Sequence, residues 1–192
     1  MNVLWVDFMN SYWRNWRTSD RSTDQDRLED PKWLGEWLEE HKLPAAGPML
    51  PEELEQLKGL RGLLWDELQR LVAGESPSTA LLAQLNVYMG NGPVVRRVVW
   101  TPAGDAEISL QPQGADWGQV MAEIAASFAA ALLEKELSRF RICGNPDCLW
   151  VYYDDTRNRS KRYCDDKLCG NLMKVRRFRA RKKAAEGEAS KE

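Results

Sequence analysis

Residues 143–174 read CGNPDCLWVYYDDTRNRSKRYCDDKLCGNLMK, and this stretch holds all four cysteines of the chain. Four residues separate Cys143 from Cys148, fifteen more follow, and Cys164 and Cys169 repeat the four-residue gap. Zinc takes four soft ligands at about 2.3 Å in a tetrahedron, and two short cysteine pairs flanking a longer loop can supply them. Gly144, Asn145 and Pro146 favour the tight turn that draws the first pair together. Two disulfides, an iron–sulfur cluster or four unconnected buried thiols are the alternatives. Polar, basic surroundings and a cytoplasmic setting, where thiols stay reduced, favour zinc. Four thiolates close the coordination shell and leave no position for water or substrate. The single Zn2+ expected is therefore structural, not catalytic. A module this small buries too little apolar surface to fold alone, so metal binding and folding should be coupled.

Between the cysteine pairs, Leu149-Trp150-Val151-Tyr152-Tyr153 has the aromatic and β-branched content of a strand. Asp154–Asn158 reads as a turn, and Lys161-Arg162-Tyr163 as the return towards the third cysteine. Acidic residues after Cys164 suit a helix N-terminus, and the helix should run through KLCGNLMKVRRFRARKKA. The expected order is knuckle, hairpin, helix, a zinc-ribbon or treble-clef-like plan. Leu168, Leu172, Val175 and Phe178 fall roughly on one side of that helix, and basic residues cover much of the rest. Between Arg139 and Lys183 there are 14 Lys and Arg against 5 Asp and Glu, a local charge of +9; the remainder carries -11. An acidic body with a basic module attached points to a polyanion as partner. The candidate nucleic-acid contacts are Arg157, Arg159, Lys161, Arg162, Lys174, Arg176, Arg177, Arg179 and Arg181. The alternative is a solvated basic helix. Trp150, Tyr152 and Tyr153 could also stack on RNA bases, or pack as the core of their strand.

Further out, the first 140 residues read as a mostly helical body with one small β-hairpin. The opening MNVLWVDFMNSYW lacks the basic flank and cleavage site of a signal peptide. Leu4, Phe8, Tyr12 and Trp16 follow helical spacing, and the polar RTSDRSTDQDRLED that succeeds them is a loop able to fold over a neighbouring surface. Pro31 opens a short helix with a Trp33, Leu34, Trp37, Leu38 stripe, and LPAAGPMLP is a linker. Pro51 opens a longer helix whose leucines recur at three and four up to Leu71, with Gly74 at its end. Ser78 caps another helix. Val94–Thr101 and Glu107–Leu110 pair as strands around Gly104-Asp105. Asp116 and Gln119 form a capping box for the last helix of the body. The whole chain is 43% hydrophobic with nine tryptophans, enough to bury a real core without disulfides. The tail from 184 to 192 is small, charged and expected to be disordered.

Taken as a unit, residues 143–174 resemble the CGNR zinc-finger family of bacterial proteins. The likeness lies in the cysteine spacing, the aromatic strand, the D-x-T-R-N turn at Asp154–Asn158 and the Lys161-Arg162 pair. One position departs: Cys169-Gly170-Asn171 is followed by Leu172, where the family's signature has arginine. If that arginine contacts DNA, the contact is altered here; if it braces the fold, Leu172 must pack instead. The N-terminal body is similar to the ABATE domain that commonly precedes this finger, through Val3–Ser11 and through Asp30-Pro31, Leu34 and Trp37-Leu38. The resemblance implies a transcriptional regulator whose first domain senses a small molecule or partner while the finger binds DNA.

An enzyme reading finds little support. His41 is the sole histidine and is expected to be exposed, and no phosphate-cradling glycine loop occurs. Asp7 and Asn10, one helical turn apart, are the candidate ligand-binding pair, or they hydrogen-bond the polar loop. The expected class is α+β, with a mostly helical ABATE-like sensor domain over 1–140 and a four-cysteine finger over 141–183. The expected function is a cytoplasmic, zinc-dependent, DNA-binding regulator with an unknown effector, no membrane and a possible homodimer. The alternative is a non-enzymatic ligand- or protein-binding module whose finger is an interaction platform.

Overall fold

The computed structural model describes residues 3–44, 47–134 and 136–189, with side chains of the final helix up to Glu186. The chain divides into two compact units: Met1–Ser11 with Asp26–Ser138, and Tyr12–Gln25 with Arg139–Glu192. The fold is α+β, helical in most of the first unit, with short antiparallel strand pairs in both.

The first unit begins with α1 (Leu4–Met9), shorter than the spacing of Leu4, Phe8, Tyr12 and Trp16 suggests. Its chain turns where the Ser11 hydroxyl donates to the Phe8 carbonyl, so Tyr12 and Trp16 leave the helical face. Helix α2 (Pro31–Glu40) starts where Asp30 accepts N–H bonds from Lys32 and Trp33 behind an N1 proline. Helix α3 (Pro51–Val72) buries Leu57, Leu60, Leu64, Leu68 and Leu71, and Gly74 takes the left-handed φ of +88° just past its end. Burying each such leucine contributes roughly 1.5–3 kcal/mol, so α3 is the spine of this core.

Helix α4 (Thr79–Gly90) is held at its start by buried Glu67 of α3, whose carboxylate accepts from the Ser78 backbone N–H and hydroxyl. The Ser78 hydroxyl in turn accepts from the Leu81 N–H, as a cap should. Helix α5 (Trp117–Glu134) packs on α4, α1 and α3, and Phe128 meets Trp5 edge-to-face at 5.2 Å. Asp116 caps it by accepting from Gln119 N–H, but the Gln119 side chain does not return to the cap. Its amide oxygen accepts from Gly114 N–H and its amide nitrogen donates to Glu123. The expected capping box is half formed, because the buried Gln119 serves the loop before the helix instead. The turn that follows α4 also approaches α5 closely at Gly92, where an added Cβ would stand 2.3 Å from the Ala122 methyl.

Two strands, Val94–Trp100 (here β3) and Ala106–Pro112 (β4), pair antiparallel with Val98 opposite Ile108. They are numbered after two short strands, β1 (Tyr12–Trp13) and β2 (Gln25–Asp26), that close the base of the polar loop. Asp26 at that base receives a bidentate guanidinium from Arg61, which also donates to the Ser11 hydroxyl. His41 is not exposed: its side chain is buried against Trp37, with Nε2 3.0 Å from Asp7 Oδ2. A contact between residues so far apart in sequence leaves no local signal. Among the described residues, no helix is long and apolar enough to cross a membrane.

The second unit contains β5 (Phe140–Ile142), β6 (Val151–Tyr153) and α6 (Asn171–Ala189), joined by the cysteine loops. Strand β6 pairs with β5, Ile142 opposite Val151, and not with Lys161–Tyr163 as the sequence suggests. The hairpin therefore encloses the first cysteine pair. Helix α6 continues to Ala189, past residue 184 where a disordered tail is expected; residues 190–192 lie outside the described part.

Candidate metal centre and nucleic-acid interface

Cys143 follows β5, and the hairpin is closed by its N–H donating to the Trp150 carbonyl at 2.8 Å. Cys148 N–H donates to the Asn145 carbonyl, completing a turn whose exit, Leu149, has φ of 58°. Gly144 has to be glycine here: its N–H donates to the Arg162 carbonyl, and a Cβ would meet that oxygen at 2.9 Å. The knuckle thereby ties down the basic loop 157–162. At the far end, Asp165 accepts from Leu168 N–H and opens a wide turn, Asp166–Gly170, that delivers Cys169 to the start of α6.

The four sulfur atoms lie within 4.8 Å of one another, with Cys148 to Cys164 at 3.7 Å and Cys164 to Cys169 at 3.9 Å. A tetrahedron of sulfur about 2.3 Å from a central zinc has an edge of about 3.8 Å. The donors and their spacing fit one structural zinc ion, and all four cysteines are free of disulfides. Three of the four are buried. Hydrogen bonds from Cys148 and Cys164 hold the Cys143 thiol far below its ordinary value, so it ionises first. The bond to Cys143 pushes Cys148 up to about 12, bonds to both neighbours push Cys164 up, and burial raises Cys169. One sulfur thus carries charge that its neighbours' protons share, and a divalent cation would displace those protons.

Outside the sulfurs, fully buried Asn145 donates its amide both to Cys169 Sγ at 3.4 Å and to the Trp16 carbonyl at 2.9 Å. Trp16 packs against the cysteine cluster, and the Arg17 guanidinium lies 4.2 Å over its ring. Asp147 is met by Arg21 and by Arg176, the latter at 2.6 Å, while Arg176 also donates to the Arg17 carbonyl. The loop 12–25 is thus part of the cysteine module, because its backbone polar groups find their partners there. The loop's polar composition suits it to cover a surface but carries no local signal for which one.

Asp154 explains the D-x-T-R-N turn. Buried, it accepts from Thr156 N–H, Thr156 hydroxyl and Lys161 N–H, which holds its carboxyl below the ordinary range despite burial. The loop it fixes carries Arg157, Arg159 and Arg162 outward, and Arg159 adopts a φ of 50°. Beside it is a concavity of about 600 Å³ whose charged lining is Arg141, Arg159, Lys161 and Arg162, without a carboxylate. On α6, Lys174, Arg177, Arg179 and Arg181 are exposed, whereas Arg176 is engaged inward as described. Leu172, at the departing signature position, is half-buried; Leu168, Val175 and Phe178 are exposed. In the first unit, Asp7 is paired with His41, and burial, opposed by that imidazole, raises its carboxyl. Neither Asp7 nor Asn10 lines the apolar cavity of about 670 Å³ that lies between α2, the start of α3 and Trp117.

Comparison with known families finds two matches. Residues 2–135 match the ABATE family, described as "Putative stress-induced transcription regulator", and residues 139–182 match the CGNR zinc finger. The chain belongs to the ABATE family and carries a CGNR zinc finger at its C-terminal end. Neither is an enzyme family. No curated protein matches it.

Proposed function

We propose, from the premise that an ABATE-family chain here carries a CGNR finger, that this protein is a zinc-dependent, DNA-binding transcriptional regulator of the bacterial cytoplasm. The observation that carries this reading is the basic surface built on the cysteine module. Lys174, Arg177, Arg179 and Arg181 project from α6, and Arg157, Arg159 and Arg162 from the loop that Asp154 and Gly144 fix. The zinc acts as a brace: when bound it would offset part of the thiolate charge and fix the start of α6 against the knuckle. Arginines on a rigid helix suit phosphates and groove edges, while Arg176 keeps α6 joined to Asp147.

Sensing belongs, on this reading, to the first unit. Its apolar cavity, lined by Leu34, Leu38, Met49, Leu54 and Trp117, suits a small apolar effector better than the paired Asp7 does. The protein-platform alternative draws on exposed Leu168, Val175 and Phe178 on α6.

Anisotropy titration of zinc-loaded protein against duplex DNA over a salt series tests the proposal. Binding should weaken steeply as salt rises, and replacing Arg177, Arg179 and Arg181 together should flatten that slope by about three phosphate contacts. Absence of binding at low salt, or binding indifferent to these arginines, would overturn it.

A further inference from the structure

The β3–β4 hairpin turns its more apolar face to water. Alternate residues of a strand share a face, and the register sets Val94, Arg96, Val98 and Trp100 with Pro112, Leu110, Ile108 and Ala106. That face is apolar apart from Arg96, yet it is open to solvent: Val98 and Trp100 are each 77% exposed, Ile108 68% and Leu110 59%. The opposite face sets Val95, Arg97 and Val99 with Gln111, Ser109 and Glu107, and it is the more sheltered one, since Val99, Ser109 and Gln111 are half-buried. A contiguous apolar face turned to water marks an interface. No other strand of the chain pairs with either hairpin edge among the described residues.

We infer that this face is a homodimer interface, in which the hairpins of two copies pack face to face. The occupant follows from the pattern of the face itself. Arg96 and Trp100 stand two residues to either side of Val98, which is opposite Ile108. When a second copy is turned end for end about that centre, each Arg96 lies over the partner copy's Trp100, and Val98 and Ile108 meet their own counterparts. The single cation on the face thus finds an indole twice, a cation–π pair that strengthens when desolvated. The two arginines remain at opposite ends and do not repel. A two-fold axis of this kind gives a closed, self-complementary contact, and twisted two-stranded sheets can stack in this way. The exposed apolar side chains offer roughly 600 Å² per copy, towards the roughly 800 Å² per partner of a standard interface.

The inference is independent of DNA binding. Sedimentation of the zinc-loaded full chain over a concentration series reaching the micromolar range should show a monomer–dimer equilibrium. Trp100→Asp and Ile108→Lys should each weaken it by roughly thirtyfold or more, as losses at the centre of an interface do. Arg96→Glu should weaken it as well, by setting a carboxylate against the indole face, whereas Arg97→Glu on the opposite face should leave it unchanged. Both arginines are exposed, so these two variants report on the face with the fold intact, checked by zinc content and circular dichroism. A monomer at every concentration overturns the inference, and so does a dimer indifferent to Trp100→Asp and Ile108→Lys. Loss with the first two variants but not with Arg96→Glu overturns the end-for-end arrangement. A monomeric variant that still binds duplex DNA leaves the function proposed above standing.

Discussion

Asn145 joins the two halves of the second unit through one amide, to Cys169 Sγ and to the Trp16 carbonyl. Sequence reading assigns it a turn, which it also makes; the bond to Trp16 spans 129 positions and has no local trace. Asn145→Ala should therefore act on metal as well as on fold. Loss of a partner that orients a ligand typically costs 10- to 100-fold in metal affinity, and chelator competition should find about tenfold here. Ligand protonation gives a second prediction. Cys148, Cys164 and Cys169 have thiol pKa values raised by bonds to Cys143 or by burial, while that of Cys143 is lowered. Near neutral pH free thiols are largely protonated, and the raised thiols of the cluster are more so, so zinc must displace protons to bind. Zinc affinity should rise with pH, and uptake should release several protons per ion in weakly buffered titration. Release of none would mean the thiolates are already formed. The cysteines themselves were legible from spacing alone, since coordination chemistry constrains residue type and separation together. His41 was not, because its burial rests on Asp7, 34 positions away, as well as on Trp37 one turn back.

At the level of elements, legibility followed locality. Helices α2, α3, α4 and α5 begin at the prolines and caps their sequences advertise, since capping is settled within four residues. Where a cap depends on packing, the pattern misleads: Gln119 turns away from Asp116 to satisfy Gly114. The partner of β6 is ambiguous in the sequence for the same reason, as 140–142 and 161–163 both lie close enough to it in the chain to pair, and the structure pairs it with 140–142. Helix α4 shows what a non-local cap is worth. Glu67 reaches across from α3 to hold the Ser78 N–H and hydroxyl, and it is buried while doing so. Glu67→Ala should leave those donors unmet and cost about 1–3 kcal/mol, read as a lower urea midpoint of the helical signal. Gly92→Ala tests the neighbouring contact by a different route. Its methyl would collide with Ala122, so the loop must move off α5, and destabilisation should appear although a small side chain has become a slightly larger one.

At the scale of the whole chain, the division into units is the feature least visible in sequence. Composition changes near residue 140, but the cysteine module also takes residues 12–25, which reach it through Trp16, Arg17, Arg21 and the amide of Asn145. A polar loop has no core of its own, so its location is decided by where its backbone groups and guanidinium donors find partners. Metal and loop should then behave as one cooperative piece. Chelating the zinc removes the ion that joins the four sulfurs in a module too small to stand without metal, which should release both the finger and the loop. The first unit keeps its leucine spine and the Trp5–Phe128 contact, neither of which involves the cysteines. Hydrogen exchange on the full chain with and without chelator separates these outcomes. Peptides from 12–25 should lose protection together with those from 139–175, while peptides from α3 and α5 hold theirs. If 12–25 stays protected when the finger opens, the loop owes its order to something other than the metal module. If α3 and α5 open as well, the two units share one cooperative transition, and zinc governs the stability of the whole chain.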